Sequence, residues 1–307
     1  MLDGIRTKLQ PRRKKATRSA KPDSTKPDST KLGSTKPDST KLSSTKNTLS
    51  KAASSRKPTH RVDVEADISP WSEALFAAEL LWLHATPVYY GFGVPRGDNS
   101  AVVVIPGFLG TDLYLMELHS WLGRIGYRPY FSGIGINAEC PNLLVKRHLN
   151  ETVERALAET GRRVHLIGHS LGGVIARSVA GQRPRDVASV ITLASPIRGT
   201  VTTRAVLNAA EAIRLRILDE HGRSVLPSCY TGRCTCNFVS GLRREVPDAM
   251  FVTAIYTRDD GIVDWRYCRT GNPDFDFEVP GTHIGMAFNA AAYAVVAERL
   301  AKAQTAE

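Results

Sequence analysis

Four short runs of apolar, largely β-branched residues recur along the chain, and longer stretches with helical spacing separate them. The runs are Ala101–Ile105, Arg163–Ile167, Val187–Ala194 and Met250–Tyr256. The helical stretches are Leu113–Arg124, Leu144–Glu159, Leu171–Gly181 and Ile284–Lys302. Strands that alternate with helices in this way are typical of a mostly parallel sheet covered by helices. The pattern therefore predicts an α/β fold.

A further helix is predicted ahead of the first of these strands. Its apolar stripe consists of Trp71, Leu75, Ala78 and Trp82, and the preceding Ser69-Pro70 is typical of an N-cap followed by a first helical residue. Because both tryptophans share the stripe with aliphatic residues, we expect them to pack in the core rather than to face a membrane.

The interval from Ile197 to Ala249 interrupts the alternation of strands and helices. It holds a helical part, Thr203–Leu218, and then Pro227, Gly232 and three of the five cysteines. An insertion between two central strands is where a lid over a site is expected, so the sequence predicts a small lid at about 197–249. The cysteines lack the paired spacing and histidine partners of a zinc site, and the choice between disulfides and free thiols stays open.

The N-terminal segment differs from the rest in charge and composition. Residues 1–61 contain 17 Lys/Arg and 4 Asp/Glu, a net charge of +13, whereas the remainder has a net charge of −2. From Lys21 the segment repeats five-residue units of the type KPDST, which offer little apolar surface for folding. We therefore predict a disordered basic tail over residues 1–63 and one folded domain over residues 64–307.

The location of the charge bears on possible partners and on localisation. Since the basicity is confined to the tail, a nucleic-acid-binding domain is not predicted, and we expect at most a weak contact of residues 1–61 with an anionic surface. No apolar region of a secretory signal follows Met1, and no run of about 18 apolar residues occurs. These patterns favour a cytoplasmic protein.

The strand at Arg163–Ile167 continues into Gly168-His169-Ser170-Leu171-Gly172-Gly173, after which a helix begins. Gly-x-Ser-x-Gly between a strand and a helix predicts a sharp turn that lifts the serine hydroxyl above the edge of the sheet. A side chain at 168 or 172 would collide with the neighbouring strand or helix. The helix dipole also favours negative charge that develops beside Ser170. The sequence thus predicts Ser170 as a nucleophile.

With these motifs, residues 65–307 resemble the lipase and esterase branch of the α/β-hydrolase superfamily. Pro106-Gly107-Phe108-Leu109-Gly110 resembles the family's His-Gly-x oxyanion loop, with Pro106 where many lipases have histidine. The stretch Leu193–Thr200 resembles the lipase segment after the next strand. The resemblance implies an α/β-hydrolase fold and an oxyanion hole formed by the backbone N–H groups of Phe108 and Leu171.

The order of the triad in this superfamily, serine, then acid, then histidine, implies where the partners of Ser170 lie. Of the eight histidines, His283 alone follows the last strong strand and its acidic loop, so it is the expected general base. Asp260 directly precedes Gly261 and is the expected acid, while Asp259 and Asp264 stay open as alternatives. His165 and His169 are expected to pack or to form hydrogen bonds.

These residues predict a serine hydrolase that cleaves small-molecule or lipid carboxylic esters through an acyl-enzyme on Ser170. Such chemistry needs no metal or organic cofactor, and none is predicted. Two alternatives stay open. One is an acyltransferase that uses the same triad, and the other is a catalytically idle hydrolase-fold scaffold that acts through its basic tail.

Overall fold

The computed structural model describes residues 63–65, 68–222 and 235–305. The predicted tail up to residue 62 lies outside these ranges, and so does the stretch that contains Pro227, Gly232, Cys229 and Cys234. Cys268 lies within them as a buried thiol that forms no disulfide.

Strands and helices alternate along the described chain. The strands are β1 (Asp63–Glu65), β2 (Ala101–Ile105), β3 (Arg128–Phe131), β4 (Val164–His169), β5 (Val187–Leu193), β6 (Thr200–Thr202), β7 (Phe251–Tyr256) and β8 (Asp276–Glu278). The helices are α1 (Phe76–Ala85), α2 (Met116–Arg124), α3 (Pro141–Leu144), α4 (Asn150–Thr160), α5 (Leu171–Gln182), α6 (Arg204–His221), α7 (Asn237–Arg243) and α8 (Ala290–Thr305). Short 3-10 turns precede α1 at Pro70–Leu75, α2 at Asp112–Leu115 and α8 at Gly285–Phe288. A π-helical turn at Val145–Leu149 joins α3 to α4.

Six of the described strands form one sheet in the order β3-β2-β4-β5-β7-β8, and every neighbouring pair is parallel. The predicted mostly parallel sheet is therefore confirmed. The two remaining short strands, β1 and β6, pair in parallel with each other. Because parallel strands end at the same edge of a sheet, the loops after β2, β4 and β7 meet at one edge, where a site is expected.

Both faces of the sheet are covered, as the apolar runs require. Along β2, Ala101, Val103 and Ile105 belong to one core cluster, which α4, α5 and α7 complete. Val102 and Val104 belong to the other cluster, which α2 and α8 complete. This alternation is the two-residue period of a strand that is buried on both sides.

The two edge strands, β3 and β8, were not predicted from the sequence. β3 contains Pro129, which lacks the N–H that a central strand needs and is tolerated at an edge. β8 has three residues, so its apolar pattern is too short to distinguish from a loop.

The segment between β5 and β7 holds β6, α6 and α7, which occupy two different places. α6 lies along a cavity at the loop-bearing edge of the sheet. α7 packs against α5 so closely that a methyl group at Gly181 would lie 2.1 Å from the carbonyl oxygen of Gly241. The boundaries of the lid at about 197–249 stay a prediction.

The segment predicted as one helix is a 3-10 turn, which holds Trp71, followed by α1, which holds Trp82, and its orientation differs from the prediction. The side chains of Trp71 and Trp82 are 84% and 69% exposed, and Leu75 is 59% exposed. The expectation that both tryptophans pack in the core was wrong. Glu73 and Glu79 face the interior in their place, because their carboxylates bind backbone N–H groups of two loops there.

No helix within the described ranges combines the length and the apolar character needed to cross a membrane.

Candidate active site

Ser170 lies in a sharp turn between β4 and α5, with a φ angle of +50° and a ψ angle of −123°. A residue with a side chain rarely adopts this conformation, so the turn is strained. Its backbone N–H donates to the carbonyl of Leu193, which ties the turn to β5 at 2.8 Å. The strain and this tie fix the direction of the serine hydroxyl.

The flanking glycines allow this turn to pack. A Cβ atom at Gly168 would lie 2.2 Å from the carbonyl carbon of Gly172 in the helix. A Cβ atom at Gly172 would lie 2.2 Å from the carbonyl oxygen of Ile105 in β2. The predicted collisions with strand and helix are therefore confirmed.

The loop after β2 approaches the same turn. Gly107 is close enough that a Cβ atom there would lie 3.0 Å from Cβ of Ser170. Buried Asn137 holds this loop, since its side-chain NH₂ group donates to the backbone carbonyl of Pro106 at 2.8 Å and its backbone carbonyl accepts from the N–H of Leu109 at 2.9 Å. The loop therefore places the backbone of Phe108 beside Ser170, at the wall of the cavity.

His283 and Asp260 form a buried hydrogen-bonded pair. Nδ1 of His283 donates to Oδ2 of Asp260 at 2.8 Å, and the residues are 4% exposed each. Oδ1 of Asp260 accepts from the backbone N–H groups of Ile262 and Val263 at 2.9 and 2.8 Å. The carboxylate is thus fixed through one oxygen and orients the imidazole through the other.

The two other acids of this loop lie in different surroundings. Asp259 is exposed, and the carboxylate of Asp264 accepts from the N–H of Arg266 at the start of a short helical turn. Neither carboxylate is bonded to His283.

Glu73 connects the loop of Asp260 with the loop of His283. Its Oε1 accepts from the backbone N–H of Gly261 at 2.8 Å and from that of His283 at 3.0 Å. Its Oε2 accepts from the N–H of Ile284 at 2.7 Å. The close approach depends on the glycine, because a Cβ atom at 261 would lie 2.9 Å from Oε1.

Glu79 bonds to the same loop at Thr282, the residue before His283. Its Oε1 accepts from the N–H of Thr282 at 2.7 Å. Burial raises the pKa of Glu79, the bonds from Thr282 oppose the rise, and the neighbouring Glu73 adds to it. Two carboxylates of one segment thus hold the loop that carries His283.

His169 holds His283 from the sheet side. Its Nε2 donates to the backbone carbonyl of His283 at 2.8 Å, and Nδ1 is buried with no partner. Burial, together with the nearby His283, lowers the pKa of His169 to about 3, so the ring stays neutral. His165 is buried and hydrogen-bonds with Ser189, so both histidines have the packing and bonding roles predicted for them.

A cavity of about 790 Å³ joins these groups. Ser170, His283, Phe108 and Leu171 all line it, and most of its other walls are apolar. α6 contributes a row of small apolar side chains and one ion pair, between Glu211 and Arg214. An apolar chain can therefore lie in the cavity with a polar group beside Ser170.

One cluster of possible metal ligands lies away from the cavity lining. Glu139, Glu220 and His221 place one ligand atom each within 4.8 Å of one another. Arg216 contacts Glu220 and donates to the carbonyl of Ala138, so one of the two carboxylates already has a positively charged partner. We assign no metal to it.

Sequence reasoning did not find Glu73, Glu79 or Asn137. A signal existed for the glutamates, because the sequence between Ile68 and Pro95 contains no other Asp, Glu, Lys or Arg. Isolated charges in an otherwise apolar helix indicate side chains with specific partners. No comparable signal marks Asn137.

Comparison with known families gives a match over the centre of the chain. Residues 144–212 match a family described as a PGAP1-like alpha/beta domain. This stretch includes Ser170, whereas Asp260 and His283 lie beyond it.

Two bacterial relatives are similar over part of the chain. A triacylglycerol lipase of Burkholderia plantarii is 31% identical over 157 residues, which are 46% of this chain and 42% of the relative. A triacylglycerol lipase of Pseudarthrobacter phenanthrenivorans is 34% identical over 113 residues, 32% of this chain and 34% of the relative. The chain therefore spans less than half the length of these relatives.

Solved structures of esterases and lipases also align with the chain. A carboxylesterase of Bacillus subtilis, CesB, aligns over 77% of this chain and 99% of its own, with 10% identity and a TM-score of 0.43. A protein of Acinetobacter baumannii described as a lipase, lip1, aligns over 79% of this chain and 99% of its own, with 14% identity and a TM-score of 0.43.

Proposed function

We propose that this chain, which has an α/β-hydrolase fold, is a serine hydrolase that cleaves carboxylic esters through an acyl-enzyme on Ser170. One observation carries the proposal: a serine in a strained strand-to-helix turn shares an apolar cavity with a histidine whose Nδ1 is bonded to a buried aspartate. The similarity to triacylglycerol lipases over part of the chain supports it.

In the first step, the hydroxyl oxygen of Ser170 attacks the ester carbonyl while Nε2 of His283 accepts the hydroxyl proton. Asp260 keeps the proton of the neutral imidazole on Nδ1 and stabilises the positive charge that the ring acquires. Collapse of the tetrahedral intermediate passes the proton to the leaving alcohol and leaves the acyl group on Ser170.

The negative charge of the tetrahedral oxygen is stabilised by the backbone N–H groups of Phe108 and Leu171. Leu171 begins the 12-residue helix α5, whose positive end favours the same charge. Asn137 supports Phe108 indirectly, because it holds the loop through Pro106 and Leu109.

In the second step, water attacks the acyl carbonyl by the same route and releases the acid. The apolar walls of the cavity favour esters with an apolar acyl group as substrates. An alcohol in place of water would make the chain an acyltransferase, so the ratio of transfer to hydrolysis with added alcohol separates the two reactions.

Substitution of Ser170 by alanine tests the proposal directly. We expect Ser170→Ala to lower kcat on a panel of p-nitrophenyl esters by about three orders of magnitude or more, because a triad nucleophile is lost. A serine-reactive phosphonate should label the wild type and leave the variant unlabelled. Ser120→Ala, which removes an exposed hydroxyl of α2, is the control. Turnover of Ser170→Ala at the wild-type rate, in a folded protein, would exclude Ser170 as the nucleophile.

A further inference from the structure

The segment Pro70–Ala85 turns its two glutamates inward and most of its apolar residues outward, although Leu83 is buried. Glu73 is 7% exposed and Glu79 is partly buried, and both bind loops of the candidate active site. A helix on the surface of a globular domain normally has the opposite arrangement. The segment is therefore held in place by its carboxylates, while most of its apolar surface has no partner among the described residues.

The most exposed positions of this segment hold no charged residue, while Glu79 and His84 are partly buried and His84 contacts Glu117. The exposed members of the segment, here called the apolar face, are Trp71, Ala74, Leu75, Phe76, Ala77, Ala78, Leu81, Trp82 and Ala85. Nine exposed apolar residues within one short segment, two of them tryptophans, are more than the isolated apolar residues that are normal on a protein surface. Such a surface indicates contact with another molecule or with a lipid surface.

The apolar face belongs to the segment that borders the candidate active site. Through Glu73 and Glu79 the segment bonds to the loops of Gly261 and His283, and the second of these lines the cavity. On the side of the oxyanion loop, Leu109 also lines the cavity and is half exposed. A surface that contacts the face therefore lies against the segment that holds the loop of His283.

Charge favours one occupant for this face. Residues 1–61 carry a net charge of +13 and end ten residues before Trp71 in the sequence. An anionic lipid surface attracts such a segment, and tryptophan is enriched at the interface between lipid and water. A second copy of the chain would bring two segments of +13 together, and residues 1–61 contain no aromatic residue that could cover the face themselves.

We propose that the apolar face of residues 71–85 docks on the surface of an anionic lipid bilayer. The basic segment attracts the chain by charge, and Trp71, Leu75 and Trp82 enter the interfacial region, so that the two interactions add to each other. This docking does not depend on the chemistry at Ser170, so its failure and the failure of the proposed function can be told apart.

The test uses the full chain as Ser170→Ala, so that lipid is not hydrolysed during the measurement. Flotation is measured with vesicles of phosphatidylcholine and with vesicles of phosphatidylcholine that contain 30% phosphatidylglycerol. Each is tested at about 0.1 M salt, where charge is screened over about 10 Å, and at about 0.5 M salt, where it is screened over a shorter distance. Leu75→Ser/Trp82→Ser removes part of the face. Leu215→Ser is the matched control, since Leu215 is 57% exposed on α6.

We expect binding to the anionic vesicles, a blue shift of tryptophan emission, and at least tenfold weaker binding of the double variant at 0.1 M salt. At 0.5 M salt the parent and Leu215→Ser should retain measurable binding, while the double variant loses it. Absence of vesicle binding would overturn the proposal, as would equal binding of the double variant in a chain with unchanged melting. A dimer that sediments as such and that the double variant dissociates, without vesicle binding, would assign the face to a second copy instead.

Discussion

At the scale of single residues, Asp260 differs from the acids beside it in how its oxygens are used. One oxygen is held by two backbone N–H groups and the other by His283. A carboxylate fixed in this way needs little reorganisation when the imidazole becomes charged. Asp259, one residue earlier, is exposed and has no bond to the histidine.

Asp260→Asn should therefore lower kcat far more than Asp259→Asn does. The amide can no longer hold the imidazole in the required tautomer, and losses of about 10⁴-fold are known for such a change in a serine triad. Steady-state kinetics on a p-nitrophenyl ester give both values. Comparable losses in the two variants, or a larger loss at Asp259, would reassign the acid.

His169 makes the stability of the fold depend on acidity. Its folded-state pKa is about 3, mainly through burial, whereas an unfolded histidine binds a proton near 6.5. Below pH 6.5 the unfolded chain therefore binds more protons, and the free energy of unfolding falls by about 1.4 kcal/mol per pH unit from this group. The contribution is complete above pH 6.5 and is lost as the pH falls towards 3.

Urea unfolding at pH 6.5 and pH 5 measures this effect. His169→Gln should lose about 2 kcal/mol less stability over that interval than the wild type does. His148→Gln, which replaces an exposed histidine, should lose as much as the wild type. Equal losses in all three chains would show that His169 is not kept neutral by burial. His165, whose pKa is lowered to about 4 by burial, contributes in the same direction in each of them.

The sequence carried a signal for some of these residues and none for others. Asp260 could be chosen because it precedes Gly261, and the structure gives a physical reason for that glycine: the carboxylate of Glu73 lies against it. Glu73 itself is 188 residues away in the chain from Gly261. No local spacing or motif reports a contact between positions so far apart.

At the scale of elements, the short turn Pro70–Leu75 joins two loops that carry different members of the candidate triad. Glu73 of this turn accepts from Gly261 next to Asp260 and from His283 and Ile284. The titratable groups around His283 and its loop are Asp260, Glu73, Glu79 and, on the sheet side, His169. The turn thus determines the relative position of acid and base.

Glu73→Gln should lower kcat by about ten- to a hundredfold with KM little changed, since small misplacements of catalytic groups have effects of this size. The amide keeps one acceptor oxygen, but its NH₂ group opposes a backbone N–H. The downfield proton resonance of the hydrogen bond between His283 and Asp260 should shift or broaden. Glu117→Gln, which alters a partly buried carboxylate bonded to Tyr89, is the control. An unchanged resonance and kcat would limit Glu73 to a structural role.

The elements that could be predicted from the sequence are those that are buried on both faces. β2, β4, β5 and β7 are buried on both faces, and their apolar runs gave boundaries within two residues. The segment Trp71–Trp82 has apolar residues on nearly every side, so the pattern does not define which side faces inward. Two glutamates decide its orientation, through bonds to loops that are remote in sequence.

At the scale of the whole molecule, charge and candidate chemistry lie in different parts of the chain. Residues 1–61 hold the excess of 13 positive charges, and every group assigned to the site lies beyond residue 70. β1 follows the basic segment directly and pairs with β6, which leads into α6 along the cavity. A shortened chain must therefore keep β1 to leave the cavity wall supported.

A chain that begins at Arg61 keeps β1 and should hydrolyse a soluble, uncharged ester with the kcat of the full chain. It should lose activity on substrate carried in anionic vesicles, because the attraction of the basic segment is gone, and high salt should erase the difference between the two chains. Turnover assays on both substrates at two salt concentrations measure this. Loss of turnover on the soluble ester, in a shortened chain that still melts cooperatively, would place part of residues 1–60 in the active domain.

The backbone conformation of Ser170 bears on how this sequence drifts under mutation. A non-glycine residue at such a positive φ is strained by about 1–3 kcal/mol, and a domain has only about 5–15 kcal/mol of stability in total. Glycine at this position would relieve the strain and remove the hydroxyl. A lineage with no use for the hydroxyl would therefore become more stable by exchanging the serine for glycine. Drift towards stability alone runs against Ser170, which agrees with the catalytic role that we propose for its hydroxyl.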